Sequence, residues 1–143
     1  MFIEWMTRPD GFFALRIGSD QVAECRGQVL GKPGSVEKAC EQLASFSGQT
    51  VNFITAVCLR GEEARFVKTF TVNTRVAFRK LGGDEIRRYV EHDMPLDCAG
   101  AFKSEAAGIS LLTKMESADP TAIIGLPLIE LSALLREAGY RIP

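Results

Sequence analysis

The clearest pattern along the chain is alternation. From Arg65 to Phe78, Phe66, Phe70, Val72, Val76 and Phe78 fall on one side, and Arg65, Thr69, Thr71, Asn73, Arg75 and Arg79 on the other. A period of two predicts a long strand with one wet face, and its arginines read as a solvated surface. Thr50–Leu59 differs: Val51, Phe53, Val57 and Leu59 alternate with Ile54, Ala56 and Cys58, so both sides are apolar. Such a strand is expected in the middle of a sheet. Ala14–Gly18 is a shorter apolar strand, and Gln21–Cys25 and Gln28–Leu30 make a hairpin around Arg26-Gly27. Ile109–Met115 is a further strand.

The period changes to helical after Ser35. Val36, Ala39, Cys40, Leu43 and Ala44 share one face, Ser35 is an N-cap, Glu37 suits the first turn, and Ser47-Gly48 closes the helix. A short helix from Glu85 to about His92 buries Ile86, Tyr89 and Val90, with Asp84 as its cap. Asp119-Pro120-Thr121 opens a helical turn. After Gly125-Leu126-Pro127, a last helix carries Leu128, Leu131, Leu134, Leu135 and Ala138 and ends at Gly139. The start is harder to read. Met1–Met6 is apolar, Arg8-Pro9-Asp10-Gly11 is a turn signal, and no first element is evident ahead of Ala14. Arg60-Gly61-Glu62-Glu63 is another turn.

Helices interleaved with strands predict an α/β fold with a mixed, twisted sheet and helices packed on it. At 143 residues, 46% hydrophobic and 24% charged, the chain is one globular domain. A formal net charge of -1 gives no long-range pull towards nucleic acid or an anionic membrane. No apolar run is long enough to span a bilayer, and Glu4, Arg8 and Asp10 break any signal-peptide pattern. Cys25, Cys40, Cys58 and Cys98 never form a C-x-x-C pair, so they read as buried reduced thiols of a cytoplasmic protein. His92 is the only histidine, beside acidic neighbours at a helix end, and reads as a cap or surface residue.

Three stretches carry candidate chemistry. Leu15–Val22 runs apolar into Gly18-Ser19-Asp20-Gln21, which places a carboxylate at a strand end near the sheet edge. There Asp20 can hold a divalent cation or take a proton from water, or simply shape a turn. Leu30-Gly31-Lys32-Pro33 presents a lysine suited to a phosphate, between a glycine and a stiffening proline. Met94–Glu105 is a long aperiodic connection carrying Asp97, Lys103 and Glu105. Long ordered loops of that kind often bind ligands, while the structural alternative is an Asp97 cap and a surface Lys103–Glu105 pair.

In this order these segments resemble the Maf-like nucleotide pyrophosphatases. The resemblance rests on Ile17-Gly18-Ser19-Asp20-Gln21-Val22, Gly31-Lys32-Pro33, Ser47-Gly48, Asp97–Glu105 and Ile124-Gly125-Leu126-Pro127-Leu128. Gln21 and Phe102-Lys103-Ser104-Glu105 are similar to the YceF branch, whose preferred substrate is 7-methyl-GTP. The resemblance implies hydrolysis of a nucleoside triphosphate, here 7-methyl-GTP or a related nucleotide, to the monophosphate and pyrophosphate. It makes Asp20 the proton acceptor and a metal ligand for a divalent cation, magnesium or manganese. It makes Gln21, Lys32, Lys103 and Glu105 substrate-binding, with Gln21 and Glu105 tied to substrate choice. A carboxylate at Glu105 would also attract a methylated, cationic purine. The implied partner is a small nucleotide, with no nucleic-acid polymer and no membrane.

One departure bears on this. The domain spans residues 1–143, with 14–143 similar to the family and 1–13 atypical. Residues 1–13 lack the family's Ser-x-Ser-x-Arg-Arg loop, and Arg8 alone does not replace it. Ala56 also stands where the family usually has glycine. The chain thus resembles the C-terminal three-quarters of the family's domain, with a bare sheet edge that invites a homodimer. Two readings stand: a pyrophosphatase, or an inactive remnant that binds nucleotides or serves as an oligomeric interaction module.

Overall fold

A computed structural model describes residues 2–7, 14–61 and 66–143. The strands are β1 (Phe2–Thr7), β2 (Ala14–Cys25), β3 (Gln28–Leu30), β4 (Thr50–Gly61), β5 (Val67–Phe78) and β6 (Leu112–Ser117). The helices are α1 (Val36–Phe46), α2 (Gly83–Asp93) and α3 (Leu128–Glu137). The strands form one sheet in the order β1-β2-β4-β5-β6, with β3 beside β2.

The α/β class is as expected, but the sheet is not mixed. Every strand pairing among the described residues is antiparallel. The connection explains the error. A strand followed by a helix and another strand usually signals parallel neighbours. Here β3 and β4 do run parallel, but both pair with β2, one on each side of it.

Among the described residues the three α-helices pack on one face of the sheet. That face presents Leu15, Ile17, Ala23 and Cys25 from β2, then Val51, Phe53, Val57 and Leu59 from β4, and Val76 and Phe78 from β5. It carries two apolar clusters. The larger gathers Ala39, Leu43 and Phe46 of α1 and Ile86, Tyr89 and Val90 of α2 around Phe53, Val76 and Phe102. The smaller sets Leu131 and Leu135 of α3 and Tyr140 on Leu15, Ile17, Val57 and Leu59. Between them sits a polar seam at Thr55 and Thr74, both fully buried.

Helix α1 follows the sequence reading. The Ser35 Oγ accepts from the Lys38 N–H at 3.3 Å, and Gly48 takes φ 67 just past the end. The Arg26-Gly27 hairpin turn holds, with φ 50 and 81. The β5 alternation also holds over its described residues.

Other readings change. Met1–Met6 looked like no element, yet 2–7 pairs with Ala14–Gly18 as β1, along an edge of β2 expected to be bare. Residues 14–18 and 21–25 are not two strands but one, because β4 pairs with β2 without a break from Leu15 to Glu24. The capping residue of α2 is Gly82, not Asp84: Glu85 reaches back to accept from the Gly82 N–H at 2.8 Å. The strand read at Ile109–Met115 starts at Leu112, after a 3-10 turn over Ala107–Leu111. Among the described residues central β4 is covered on one face, and Ala56 and Cys58 are exposed on the other. Of the four free cysteines only Cys25 is buried. The Arg8-Pro9-Asp10-Gly11 turn, Glu62-Glu63 and Arg65 lie outside the described residues.

Candidate active site

Pairing register decides what surrounds Asp20. Gly18 pairs with Cys58 and Cys58 with Thr69; Asp20 pairs with Ala56 and Ala56 with Thr71. Paired residues share a face, so these six side-chain positions form one patch on the face opposite the described helices. A groove of about 640 Å³ opens there, lined by Gly18, Ser19, Asp20, Ala56, Cys58, Thr69 and Thr71 among others. Its floor is made of small and hydroxyl-bearing residues, which leave room for a bulky ligand beside one exposed carboxylate.

The Asp20 carboxylate is oriented by the chain itself. Its Oδ1 accepts from the Gln21 backbone N–H at 2.9 Å. Among the described residues Oδ2 has no partner, so one oxygen is fixed and the other is free to take a proton. On the edge of β2 away from β4, β1 pairs residues 14–18 and β3 pairs residues 23–25. Among the described residues no strand pairs Ser19–Val22 on that side. Asp20 is therefore mid-strand rather than at a strand end, but it does face a break in the sheet.

Gln21 points the other way, as strand alternation requires. Its Nε2 donates to Thr55 Oγ1 at 2.8 Å and lies 3.0 and 3.3 Å from the Ala122 and Ile123 carbonyls. Ser19 likewise donates its hydroxyl to the Gly125 carbonyl. Both neighbours of Asp20 are thus tied to the 3-10 turn Ala122–Ile124 and the glycine after it.

Lys32 and the Met94–Glu105 connection are brought together. The Gly34 N–H donates to the Leu96 carbonyl at 2.9 Å, and the Gly100 N–H to the Gly31 carbonyl at 3.3 Å. Lys32 is exposed between these two ties. Gly100 takes φ 66, and a Cβ there would lie 3.0 Å from Phe46, 3.1 Å from Ala23 and 3.2 Å from Phe53. Glycine is needed for both the conformation and the close approach. The next residue, Ala101, is also left-handed with φ 53. Two left-handed residues in succession reverse the chain and drop Phe102 into the core, where its ring centroid lies 5.5 Å from Phe53 and 5.4 Å from Phe78.

That anchor sets the residues that follow. The Lys103 N–H donates to the Tyr89 hydroxyl at 2.9 Å, and Lys103 Nζ to the Asp93 carbonyl at 3.0 Å. Lys103 therefore caps the C-terminus of α2, where a cation is favoured, and does not pair with Glu105. Glu105 is exposed, with Ser104 Oγ at 3.4 Å. Asp97 is exposed and accepts from the Cys98 thiol rather than capping backbone amides. Burial and the adjacent Asp97 push the Cys98 thiol up to about 11, so it stays protonated near neutral pH and is no nucleophile. Burial also raises Tyr89, which stays a neutral phenol. His92 is a surface residue, its Nδ1 2.7 Å from Asp93 Oδ1.

The sequence reading missed Ser19 and Thr55 behind the strand, and Cys58, Thr69 and Thr71 on the groove floor. Alternation alone told which residues of each strand share a face, but not which strands' residues meet.

The family model described as Maf-like protein matches residues 11–138. The chain belongs to the Maf-like family. Named relatives agree. The 7-methyl-GTP pyrophosphatase of Aromatoleum aromaticum is 52% identical over 130 residues, covering 91% of this chain and 67% of the relative. The protein of that name from Xanthomonas axonopodis pv. citri is 54% identical over 127 residues, 89% of this chain and 66% of the relative. That of Pseudomonas aeruginosa is 47% identical over 129 residues, 90% and 67%. The chain spans about two thirds of the length of the curated relatives it matches. No helix among the described residues is long and apolar enough to cross a membrane.

Proposed function

We propose that this chain hydrolyses the α–β phosphate anhydride of 7-methyl-GTP or a related modified nucleotide, releasing the monophosphate and pyrophosphate. The observation that carries the reading is Asp20: an exposed carboxylate over a roomy groove, one oxygen held by a backbone N–H and the other open. The names of relatives about half identical to this chain support the nucleotide class.

Water adds across the anhydride. Its oxygen bonds to one phosphorus, the bridging oxygen leaves with the other, and Asp20 accepts the proton. Fixing one carboxylate oxygen removes a rotation that would otherwise have to be frozen during reaction. Lys32, exposed beside the tied loops, meets phosphate charge as it develops. Glu105 faces solvent with a negative charge suited to a methylated, cationic purine. Gln21 and Lys103 make the protein contacts described above, and those contacts fix the turn behind Asp20 and the loop that carries Glu105.

A divalent cation, magnesium or manganese, fits this site in one way. Among the described residues no group of three or more histidine, cysteine or acidic side chains is placed to cage a metal. Asp20 alone would contribute a carboxylate, the rest of the shell coming from phosphates and water, as is common for magnesium. Such an ion supplies charge neutralisation to the phosphates.

The test is pyrophosphate release by this 143-residue chain with magnesium, over 7-methyl-GTP, GTP, dTTP, UTP and CTP, with Asp20→Asn as control. Turnover favouring 7-methyl-GTP and lost in the variant is expected. Absence of turnover, or turnover that survives in Asp20→Asn, overturns the reading and leaves a nucleotide-binding or oligomeric module.

A further inference from the structure

The loop that carries Glu105 is gripped at Lys103. Lys103 lies outside any helix or strand, so its backbone groups need partners of another kind. Its N–H donates to the Tyr89 hydroxyl at 2.9 Å, and its carbonyl accepts from the Ala106 N–H at 3.4 Å. Its ammonium donates to the Asp93 carbonyl at 3.0 Å. The returning chain closes on it from the far side. A Cβ at Gly108 would collide with the Lys103 carbonyl oxygen and lie 2.9 Å from the Phe102 ring. Glycine is what lets the backbone approach so closely. Glu105 stands two residues beyond this grip and is exposed.

Tyr89 is the partner that packing alone does not explain. Its ring is buried in the larger apolar cluster, where phenylalanine would fill almost the same space. What the hydroxyl adds is an acceptor for a loop N–H that no ladder satisfies. From this geometry we infer that Tyr89 is a positioning residue for base recognition: its hydroxyl holds Lys103 to α2 and so aims Glu105 at the purine. The inference rests on the function proposed above, with Glu105 as the group that meets a methylated, cationic base. Attraction between an exposed carboxylate and a cation falls with distance and is screened by salt, so a carboxylate that wanders loses most of it. A loop already ordered also loses less freedom when the nucleotide arrives. Glu105 is within electrostatic reach of the phenol. Burial raises Tyr89 most, the Lys103 N–H pulls it back, and the charges of Asp93 and Glu105 add to the rise.

Tyr89 is buried, so its hydroxyl acts on the base through Lys103. That separates aiming from contact. Wild type, Tyr89→Phe, Glu105→Gln and the Tyr89→Phe/Glu105→Gln double variant are titrated with 7-methyl-GMP and with GMP. This pair carries the two bases and no anhydride bond, so base preference is read whether or not the chain turns over. Circular dichroism and melting first confirm that each protein is folded. Wild type is expected to prefer 7-methyl-GMP, and Glu105→Gln to lose that preference. Tyr89→Phe should lower the preference about 2- to 10-fold, the size of one hydrogen bond, through weaker 7-methyl-GMP binding with GMP nearly unchanged. The double variant should be no worse than Glu105→Gln alone, because a carboxylate that is gone cannot be misaimed.

A Tyr89→Phe protein with the wild-type preference overturns the inference. So does equal weakening of both nucleotides, or a loss that adds in full to that of Glu105→Gln, because Tyr89 would then serve the fold alone. A wild type that binds the two bases equally overturns it as well. If Tyr89→Phe fails to fold, Lys103→Met, which frees the same residue from the Asp93 carbonyl, decides by the same criteria. Pyrophosphate release from 7-methyl-GTP by the same proteins keeps the two readings apart. Preference lowered in Tyr89→Phe without turnover in the wild type overturns the hydrolytic reading and supports the aiming of Glu105. Turnover in the wild type with preference unmoved in Tyr89→Phe overturns the inference alone.

Discussion

Asp20 stands on the open face of β2 beside Ala56 and Thr71, with one carboxylate oxygen unengaged among the described residues. Gln21, the next residue, has its amide hydrogens engaged with Thr55 and the Ala122 and Ile123 carbonyls. One peptide bond separates a group exposed for chemistry from a group used for attachment. Strand alternation makes this division possible: each residue added to the strand changes face, so a reactive side chain can be flanked by its own supports. A helix would place neighbours about 100° apart and could not separate the two roles so completely.

Several substitutions would break or sharpen that contrast. The largest effect belongs to the open face. Asp20→Asn should cut pyrophosphate release about 100-fold or more while leaving the melting temperature near wild type, because it removes a proton acceptor and no packing. Parallel rate and melting curves check it. A mutant that melted far lower would mean that Asp20 belongs to the supporting structure.

The strongest loss of stability should come from the supporting side. Asp119 is buried, with 2% of its surface exposed, and accepts from the Thr121 N–H and hydroxyl and from the Ile129 N–H. It fastens the start of α3 to the turn that Gln21 and Thr55 hold. Asp119→Ala should cost about 2–3 kcal/mol in a denaturant titration, since the buried donors lose their acceptor. Gly100→Ala should cost about 1–3 kcal/mol through its left-handed backbone and the crowding against Phe46 and Ala23. It should also weaken nucleotide binding, because Gly100 ties the Lys32 loop to the Lys103 loop.

A smaller effect follows from pH. Burial pushes the Asp119 carboxyl up, but the Thr121 and Ile129 bonds outweigh it and leave the group below its ordinary value. A carboxyl lowered in the folded state stabilises the fold fully above its unfolded value, about 3.9, and loses that contribution as pH falls through the folded value. Wild type should therefore lose stability on acidification below about pH 4 more steeply than Asp119→Asn does. Equal slopes in the two proteins would remove Asp119 from the account. Cys58→Ser is the smallest perturbation: on the exposed groove floor it should change melting by less than about 0.5 kcal/mol.

The parts legible in the sequence were those set locally. Ser35 three residues before Lys38, the Arg26-Gly27 turn and the even-numbered apolar residues of β5 depend on neighbours a few positions away. So does Gly125-Leu126-Pro127 ahead of α3. What stayed hidden was set at long range. Thr55 drew no attention in a strand read as apolar on both sides, because its acceptor is 67 residues further on. Asp119 read as the opening of a turn, which its Thr121 bonds bear out, but its bond to Ile129 depends on how α3 comes to rest. Of the candidate residues, Asp20 and Lys32 are exposed as their proposed roles need. Gln21 and Lys103 carry structural bonds that only the pairing register and the Phe102 anchor reveal. The antiparallel sheet escaped for the same reason, since the helix after β3 does not say on which side of β2 the chain returns.

The polar seam has a consequence for how the molecule comes apart. It divides one side of the sheet into a large cluster under α1 and α2 and a smaller one under α3. Cooperative units of opening follow such boundaries, and the unit with less apolar burial opens at lower free energy. The amides of α3 should therefore exchange with solvent deuterium sooner than those of α1. Each such excursion breaks the Ile129–Asp119 tie to the turn behind Asp20, while Ile123 of that turn stays packed in the larger cluster.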